Sequence, residues 1–176
     1  MSLVIRKAKE EDLDFAEEIY NEILDNEAKN VSYTNWIKGK YPTRETAKKA
    51  WKAGTFYVGL QDNKIVGCVN LNHIQPEEYK KINWTYEAED EEVMVIHTLC
   101  IPPSQSGNGY GKEFVAFSED LARQQGCKVM RIDTYEGNLP AIKFYPRLGY
   151  NYVGYTEFLF EGIIKENLKC FDKKVI

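Results

Sequence analysis

The sequence predicts an α/β fold in which one mixed sheet carries helices on both faces. Three observations lead there. The run Val93–Ile101 is apolar on both faces, the pattern of a central strand. Beyond it, segments with helical spacing alternate with strand-like runs. The whole order reads strand, two or three helices, three strands, helix, strand, helix and two closing strands, in a chain whose 176 residues fit one domain over 1–176.

Leu3–Ala8 alternates as a short first strand. Glu11–Leu24 follows as a helix, with Leu13, Ala16, Ile19, Tyr20 and Ile23 at helical spacing and an acidic start that suits the dipole. Val31–Lys40 is ambiguous and is read as a short helix around Trp36. Thr43 caps the next helix, which runs through Trp51 and Ala53 to Gly54. Thr55–Leu60 and Lys64–Asn72 form a hairpin around Gln61-Asp62-Asn63, whose residue types favour a turn. Gln75–Glu92 has no clear period and is read as a loop. Pro102 and Pro103 stop the central strand. Gly109–Gln125 carries Phe114, Phe117, Leu121 and Ala122 on one stripe and ends at Gly126. Lys128–Thr134 is a strand. Asn138–Leu148 is a helix with Asn138 as N-cap, Pro140 in its first turn and Gly149 at its end. Asn151–Phe158 and Asn167–Val175 close the sheet.

A net charge of −4 argues against a nucleic-acid binder working through a general positive field. No apolar run approaches the ~18 residues of a membrane span, so neither membrane insertion nor secretion is expected. Cys68, Cys100, Cys127 and Cys170 are widely separated, which suits buried reduced thiols and a cytoplasmic setting. Two distant histidines without a cysteine or carboxylate cluster give no metal site.

The most informative segment is Ser104-Gln-Ser-Gly-Asn-Gly-Tyr-Gly111, set between the central strand and a helix. Glycines at 107, 109 and 111 leave backbone N–H groups with little side-chain cover where the helix dipole is positive, an arrangement that favours phosphate. An NTPase phosphate loop would align Ser106 with its first glycine and Glu113 with its hydroxyl residue, and both fail. The dinucleotide pattern would require glycine at Lys112 and fails as well.

Ser106-Gly107-Asn108-Gly109-Tyr110-Gly111 resembles the acetyl-CoA loop of the GCN5-related N-acetyltransferases (GNAT), usually Arg/Gln-x-x-Gly-x-Gly/Ala. It departs from that pattern at Ser106, where the family usually has Arg or Gln. Asn138-x-x-Ala141-x-x-Phe144-Tyr145, followed by Leu148-Gly149-Tyr150, is similar to the same family's N-x-x-A-x-x-F-Y-x-x-x-G-F/Y helix. Ala141, Phe144, Tyr145 and Leu148 share one helix face. The resemblance is strong over residues 93–155, and over 3–72 it lies in the order of elements alone. It implies a mostly antiparallel mixed sheet, the acyl-CoA N-acyltransferase fold.

It also implies direct transfer of the acetyl group of acetyl-CoA to a primary amine, without an acyl-enzyme. An alkylammonium with pKa near ~10 must first lose a proton. Charge growing on the thioester oxygen needs oriented donors, and the departing thiolate needs a proton. By position, Leu99, Cys100 and Ile101 would offer backbone groups to the pantetheine arm. The N–H groups from Ser106 through Gly107, Asn108, Gly109 and Tyr110 to Gly111 would hold the pyrophosphate, with Lys112, Lys143 or Arg147 in reach of phosphates. Asn138 would contact the cofactor arm unless it serves only as a helix cap, and Tyr145 would be the acid unless it is a core tyrosine. The base is open between His97, in the same alternation as Val95, Leu99 and Ile101, and Glu91 or Glu92 anchoring a water chain. His73, beside Asn70 and Asn72, lines the acceptor site or ends a strand.

The acceptor expected is a small-molecule amine, because the 73–92 loop and the aromatic-rich 31–57 segment favour a covered site. A protein lysine or N-terminal acceptor, or a CoA-binding sensor without catalysis, are the alternatives. A homodimer is compatible with a sheet protein of this size.

Overall fold

The computed structural model describes residues 3–160 and 162–176. Its strands are β1 (Val4–Lys7), β2 (Phe56–Gln61), β3 (Lys64–Asn72), β4 (Val93–Cys100), β5 (Val129–Tyr135), β6 (Asn151–Phe160) and β7 (Ile164–Lys174). The helices are α1 (Leu13–Lys29), α2 (Arg44–Lys52), α3 (Tyr110–Gln124) and α4 (Leu139–Arg147). The strands make one mixed sheet in the order β1-β2-β3-β4-β5-β7-β6, the fold class read from the sequence. The chain divides into two compact units, one of Met1–Val31, Trp36–Asn72 and Ile96–Ser118, the other of Ser32–Asn35, His73–Val95 and Glu119–Ile176.

In the first unit, α1 starts two residues later than the spacing predicts because Glu10–Asp12 forms a 3-10 turn. Asp12 is buried and accepts from Arg6 Nη1 at 2.7 Å and from the Lys9 N–H at 2.7 Å. Burial pushes its carboxyl up, but those two bonds prevail and hold it below the usual range. The helix continues past Leu24 to Lys29, since Asp25-Asn-Glu-Ala-Lys29 holds no breaker.

The short helix expected around Trp36 is absent. Asn35 at φ 61° and Gly39 at φ 80° are left-handed, and an Ile37–Tyr41 bridge closes a turn instead. β2 and β3 pair antiparallel, with Asp62 at φ 51° and Asn63 at φ 62° forming the two-residue connection that right-twisted hairpins prefer.

Gly59 and Gly67 face each other in that hairpin, and a Cβ on either would lie 2.6 Å from a neighbouring side chain, Phe114 or Ile101. The missing side chains let the Phe114 ring lie directly on the strands, which seats the start of α3. The core of this unit joins Leu13, Ala16 and Ile19 of α1, Ala47 and Ala50 of α2, and Phe56, Val58, Cys68 and Cys100 of the strands.

In the second unit, β4 and β5 run parallel, with Val93 opposite Val129 and Val95 opposite Arg131. β7 lies antiparallel to both β5 and β6. Tyr79, Ile82, Val93, Val95, Phe158, Leu168 and Cys170 form the core. The segment 73–92 contains two 3-10 turns, Glu77–Lys81 and Asp90–Glu92. Buried charge fastens it. Asp172 Oδ2 accepts from the N–H groups of Thr85 at 2.7 Å and Tyr86 at 3.4 Å. Arg131, opposite Asp172 in the ladder, donates to Gln75 Oε1 at 2.6 Å and Tyr86 O at 2.9 Å and lies 4.4 Å from the Trp84 ring centre.

The four cysteines are buried and free. Among the described residues, no helix is long and apolar enough to cross a membrane, and no group of three His, Cys, Asp or Glu side chains is placed to hold a metal ion.

Candidate active site

In the first unit, β4 ends at Cys100, Pro102 and Pro103 turn the chain, and a 3-10 turn at Pro103–Gln105 leads into the glycine loop. The loop is anchored at its entrance. Glu22 of α1 accepts from the Ser104 N–H at 3.1 Å and its hydroxyl at 3.0 Å, and Glu113 accepts from the Leu3 N–H at 2.9 Å. Asn108 Nδ2 donates to Gln105 O at 3.1 Å. Ser106, although exposed, folds back on the preceding turn, since its N–H at 3.1 Å and its hydroxyl at 2.9 Å both donate to Pro103 O.

The row of open amides therefore begins at Gly107, one residue later than the sequence pattern implies. Among the described residues, the N–H groups from Gly107 to Lys112 meet no acceptor. Gly107 at φ 81° and Gly109 at φ 76° are left-handed, and the space a Cβ would enter at either holds no atom within 4 Å. These are consecutive donors, exposed or half-buried, at the positive end of a 15-residue helix, an arrangement that fits a diphosphate.

The strand that leads into this loop is irregular. Thr98 has φ 51°, in the left-handed region that a β-branched residue enters at a cost of about 1–3 kcal/mol. It interrupts the alternation that groups His97 with Leu99 and Ile101. Its hydroxyl is hydrogen-bonded to that of Tyr41. His97 Nε2 lies 2.7 Å from Asn72 Oδ1. An Oδ1 acceptor pairs with a donating Nε2–H, which fixes the orientation of the ring. Leu99 and Ile101 are half-buried and Cys100 is buried, with burial pushing the Cys100 thiol well up, so that it stays protonated.

The other predicted residues belong to the second unit. Asn138 caps α4, its Oδ1 accepting from the Ala141 N–H at 3.2 Å, which leaves its amide nitrogen as the group able to contact a ligand. Tyr145 is buried, with its ring centre 5.0 Å from Phe144, 5.6 Å from Tyr150 and 6.1 Å from Phe171. Glu92 pairs with Lys128 and accepts from the Glu89 N–H at 3.3 Å, and the lysine bond, the larger cause, holds its carboxyl below the ordinary value. His73 is clamped between Val93 O at 2.8 Å and Gln125 Oε1 at 2.9 Å, a strand-end role. A cavity of about 480 Å³ lies among His73, Gln75, Lys80, Trp84, Asp90 and Arg131, and none of the family-pattern residues lines it.

Two carboxyls of this unit escaped the sequence reading. Glu166 is 7% exposed and accepts from Asn35 Nδ2 at 2.9 Å. Burial, with a further push from Asp133, raises its carboxyl to about 7. Burial also raises Asp133 to about 6, against the bond from Tyr79 Oη at 2.6 Å. Glu22, Tyr41 and Thr98 were missed in the first unit. Each has an ordinary sequence context, and nothing local marks it.

The chain is 27% identical over 73 residues to the streptothricin acetyltransferase of Streptomyces lavendulae, covering 42% of this chain and 39% of that one. It is 26% identical over 152 residues to an uncharacterized N-acetyltransferase of Methanocaldococcus jannaschii, MJ1207, covering 83% and 59%. The chain thus spans less than two thirds of the length of either relative. Among solved structures, a GNAT-family acetyltransferase of Streptococcus agalactiae superposes with a TM-score of 0.81 at 20% identity, over 98% of this chain and 95% of that one. The yncA protein of Salmonella typhimurium, solved with its cofactor acetyl-CoA, gives 0.69 at 16% identity, over 100% and 95%. These likenesses carry the fold. The sequence model described as the acetyltransferase (GNAT) family matches residues 16–150, from within α1 to the end of the α4 motif, and the chain belongs to that family.

Proposed function

We propose that the protein, acting as one catalytic domain over 1–176, moves the acetyl group of acetyl-CoA directly to a primary amine of a small-molecule acceptor. The observation that carries this reading is the run of open N–H groups from Gly107 to Lys112 at the start of α3. Acetyl-CoA supplies the acetyl group as an activated thioester. The amides hold its diphosphate, Lys112 adds a point charge for phosphate, and the backbone of Leu99, Cys100 and Ile101 orients the arm.

His97 takes the ammonium proton, directly or through water, while Asn72 orients the ring through Nε2. Asn138 contributes through Nδ2, because its oxygen is engaged in capping. Tyr145 donates the proton that the departing sulfur needs. The name of the Streptomyces lavendulae relative supports a small-molecule acceptor. The free, buried thiols suit a reducing cytoplasm.

The test is thiol release from acetyl-CoA across a panel of streptothricin, other small amines, lysine peptides and free peptide N-termini. Turnover is expected with small amines. Tyr145→Phe should lower kcat by about 10²-fold. Equal rates for the two proteins would remove the acid role from Tyr145. Preference for peptides would move the acceptor to proteins, and tight acetyl-CoA binding without turnover on any amine would favour a sensor.

A further inference from the structure

We propose that Tyr41 is a positioning residue for the acyl-CoA strand: its hydroxyl, bonded to Thr98, holds Thr98 left-handed and so sets the aim of His97 and of the Leu99–Ile101 backbone. The inference rests on the reading of that strand as the thioester-binding edge.

Among the described residues, four that are not glycine have positive φ: Asn35, Asp62, Asn63 and Thr98. The first three are Asn or Asp outside the strands, and their short polar side chains tolerate this conformation. Thr98 is different. It is β-branched and sits within β4, with strand on both sides. Such a conformation persists only where the surroundings over-determine it.

The surroundings supply a specific hold, the Tyr41–Thr98 hydroxyl pair. Tyr41 is well placed to exert it. Its side chain is buried at 7% exposure, and its ring meets Trp36 edge-on at 5.8 Å and 80°. Its N–H donates to Ile37 O at 2.9 Å within the bridge that closes that turn. The hydroxyl is therefore delivered from a fixed backbone by a fixed ring.

What it controls follows from strand geometry. A left-handed residue bends a strand and re-aims its neighbours, which in a regular strand would alternate. The neighbours here are His97, bonded to Asn72 at 2.7 Å, and Leu99. Relaxation of Thr98 to ordinary extended backbone would rotate both. Tyr41 then acts on the reaction through Thr98 and touches no substrate.

The experiment compares wild type, Tyr41→Phe, Thr98→Gly and the double variant. Glycine adopts φ near +51° without a clash, so it removes the need for a hold. Tyr41→Phe should lower kcat/KM for acetyl-CoA by about tenfold, a loss in the range for small misplacements of a reacting group. Placing Thr98→Gly in that background should recover most of the loss. A Tyr41→Phe enzyme within twofold of wild type, or a double variant no better than Tyr41→Phe, would overturn the proposal.

A second readout is independent of turnover. A crystal structure of Tyr41→Phe should show Thr98 with negative φ, and retention of the left-handed conformation sinks the positioning claim even if the enzyme is slow. Thr98→Val breaks the same pair from the other side should Tyr41→Phe fold poorly. If wild type releases no thiol from acetyl-CoA with any amine, the acyl-transfer reading fails, and the φ of Thr98 in the variant still decides the role of Tyr41.

Discussion

The loop 104–111 and the segment 73–92 are both irregular, both polar, and opposite in how they treat hydrogen bonds. The glycine loop anchors its entrance through Glu22 and leaves six consecutive amides, Gly107 to Lys112, facing no acceptor. The longer segment satisfies its groups internally: His73 on Val93 O, Gln75 on Asp90 and Arg131, Thr85 and Tyr86 on Asp172, and Trp84 Nε1 on Tyr79 O. Buried donors without partners are costly, so a native chain keeps them open only at the surface and where a ligand will fill them. Irregular backbone alone says little about function. What separates the two regions is where their donors point.

That contrast can be broken most forcefully at Asp172. It is fully buried, and its loss strands the Thr85 and Tyr86 amides and removes a negative charge that favours the Arg131 guanidinium. Asp172→Ala should cost about 2–5 kcal/mol in urea unfolding, at about 1–3 kcal/mol for each buried donor left without its acceptor. A loss below about 1 kcal/mol would mean that apolar packing alone holds the segment.

Next comes pH. Glu166 is raised by burial to about 7 and Asp133 to about 6. A carboxyl with a raised folded value binds protons that the unfolded chain has released, so the Glu166 contribution to stability is fully present at acid pH and is lost as pH rises from about 4.5 to about 7. At about 1.4 kcal/mol per pH unit, Glu166 contributes a decline on the order of 3 kcal/mol. Glu166→Gln should flatten most of that slope in chemical denaturation at pH 4.5 and 7.5. An unchanged slope would assign it elsewhere.

The glycine loop is tested by a matched pair. Gly109 at φ 76° and Gly126 at φ 79° are both left-handed with open space where a Cβ would sit. Valine at either should cost about 1–2 kcal/mol of stability from backbone strain. Gly109→Val should also weaken acetyl-CoA binding by at least about tenfold, or 1.4 kcal/mol, in calorimetry. Gly126→Val should leave binding alone. Equal effects on affinity would mean that the loop glycines serve folding and not the ligand.

The smallest effect is expected at Ser106. Its hydroxyl and its N–H both serve Pro103 O, so Ser106→Ala should change acetyl-CoA affinity by less than about twofold, a few tenths of a kcal/mol. A larger loss would show that the side chain, and not the amides from Gly107 onward, grips the cofactor.

Sequence legibility follows the same division. Local signals predicted local structure well. Asp62-Asn63 gave the hairpin, Asn138 and Gly149 bracketed α4, and the apolar run gave β4. The glycines marked the loop because only they enter φ near +80° freely. The ambiguous stretch around Trp36 is no helix because Asn35 and Gly39 both turn left-handed, which neither residue type announces by itself. Thr98 was invisible for a related reason: a threonine in a β-branched run predicts strand, and its departure is imposed from Tyr41, 57 positions away. Arg131, Asp133 and Asp172 lie in runs predicted as strands, and Glu166 lies just ahead of one, with nothing local to mark any of them as buried. Their burial depends on the segment that covers them, which no period in the sequence announces.

The facing glycines of the β2–β3 hairpin carry one more consequence. Because Phe114 rests where two side chains would otherwise project, the height of α3 above its strands is fixed by two hydrogen atoms. Phe114 lies only one turn into the helix, so that clearance is also the level at which the anion-facing amides stand. In this unit the docking depth of a ligand is written in a pair of absent methyl groups, on strands that sit directly behind Cys100 and Ile101.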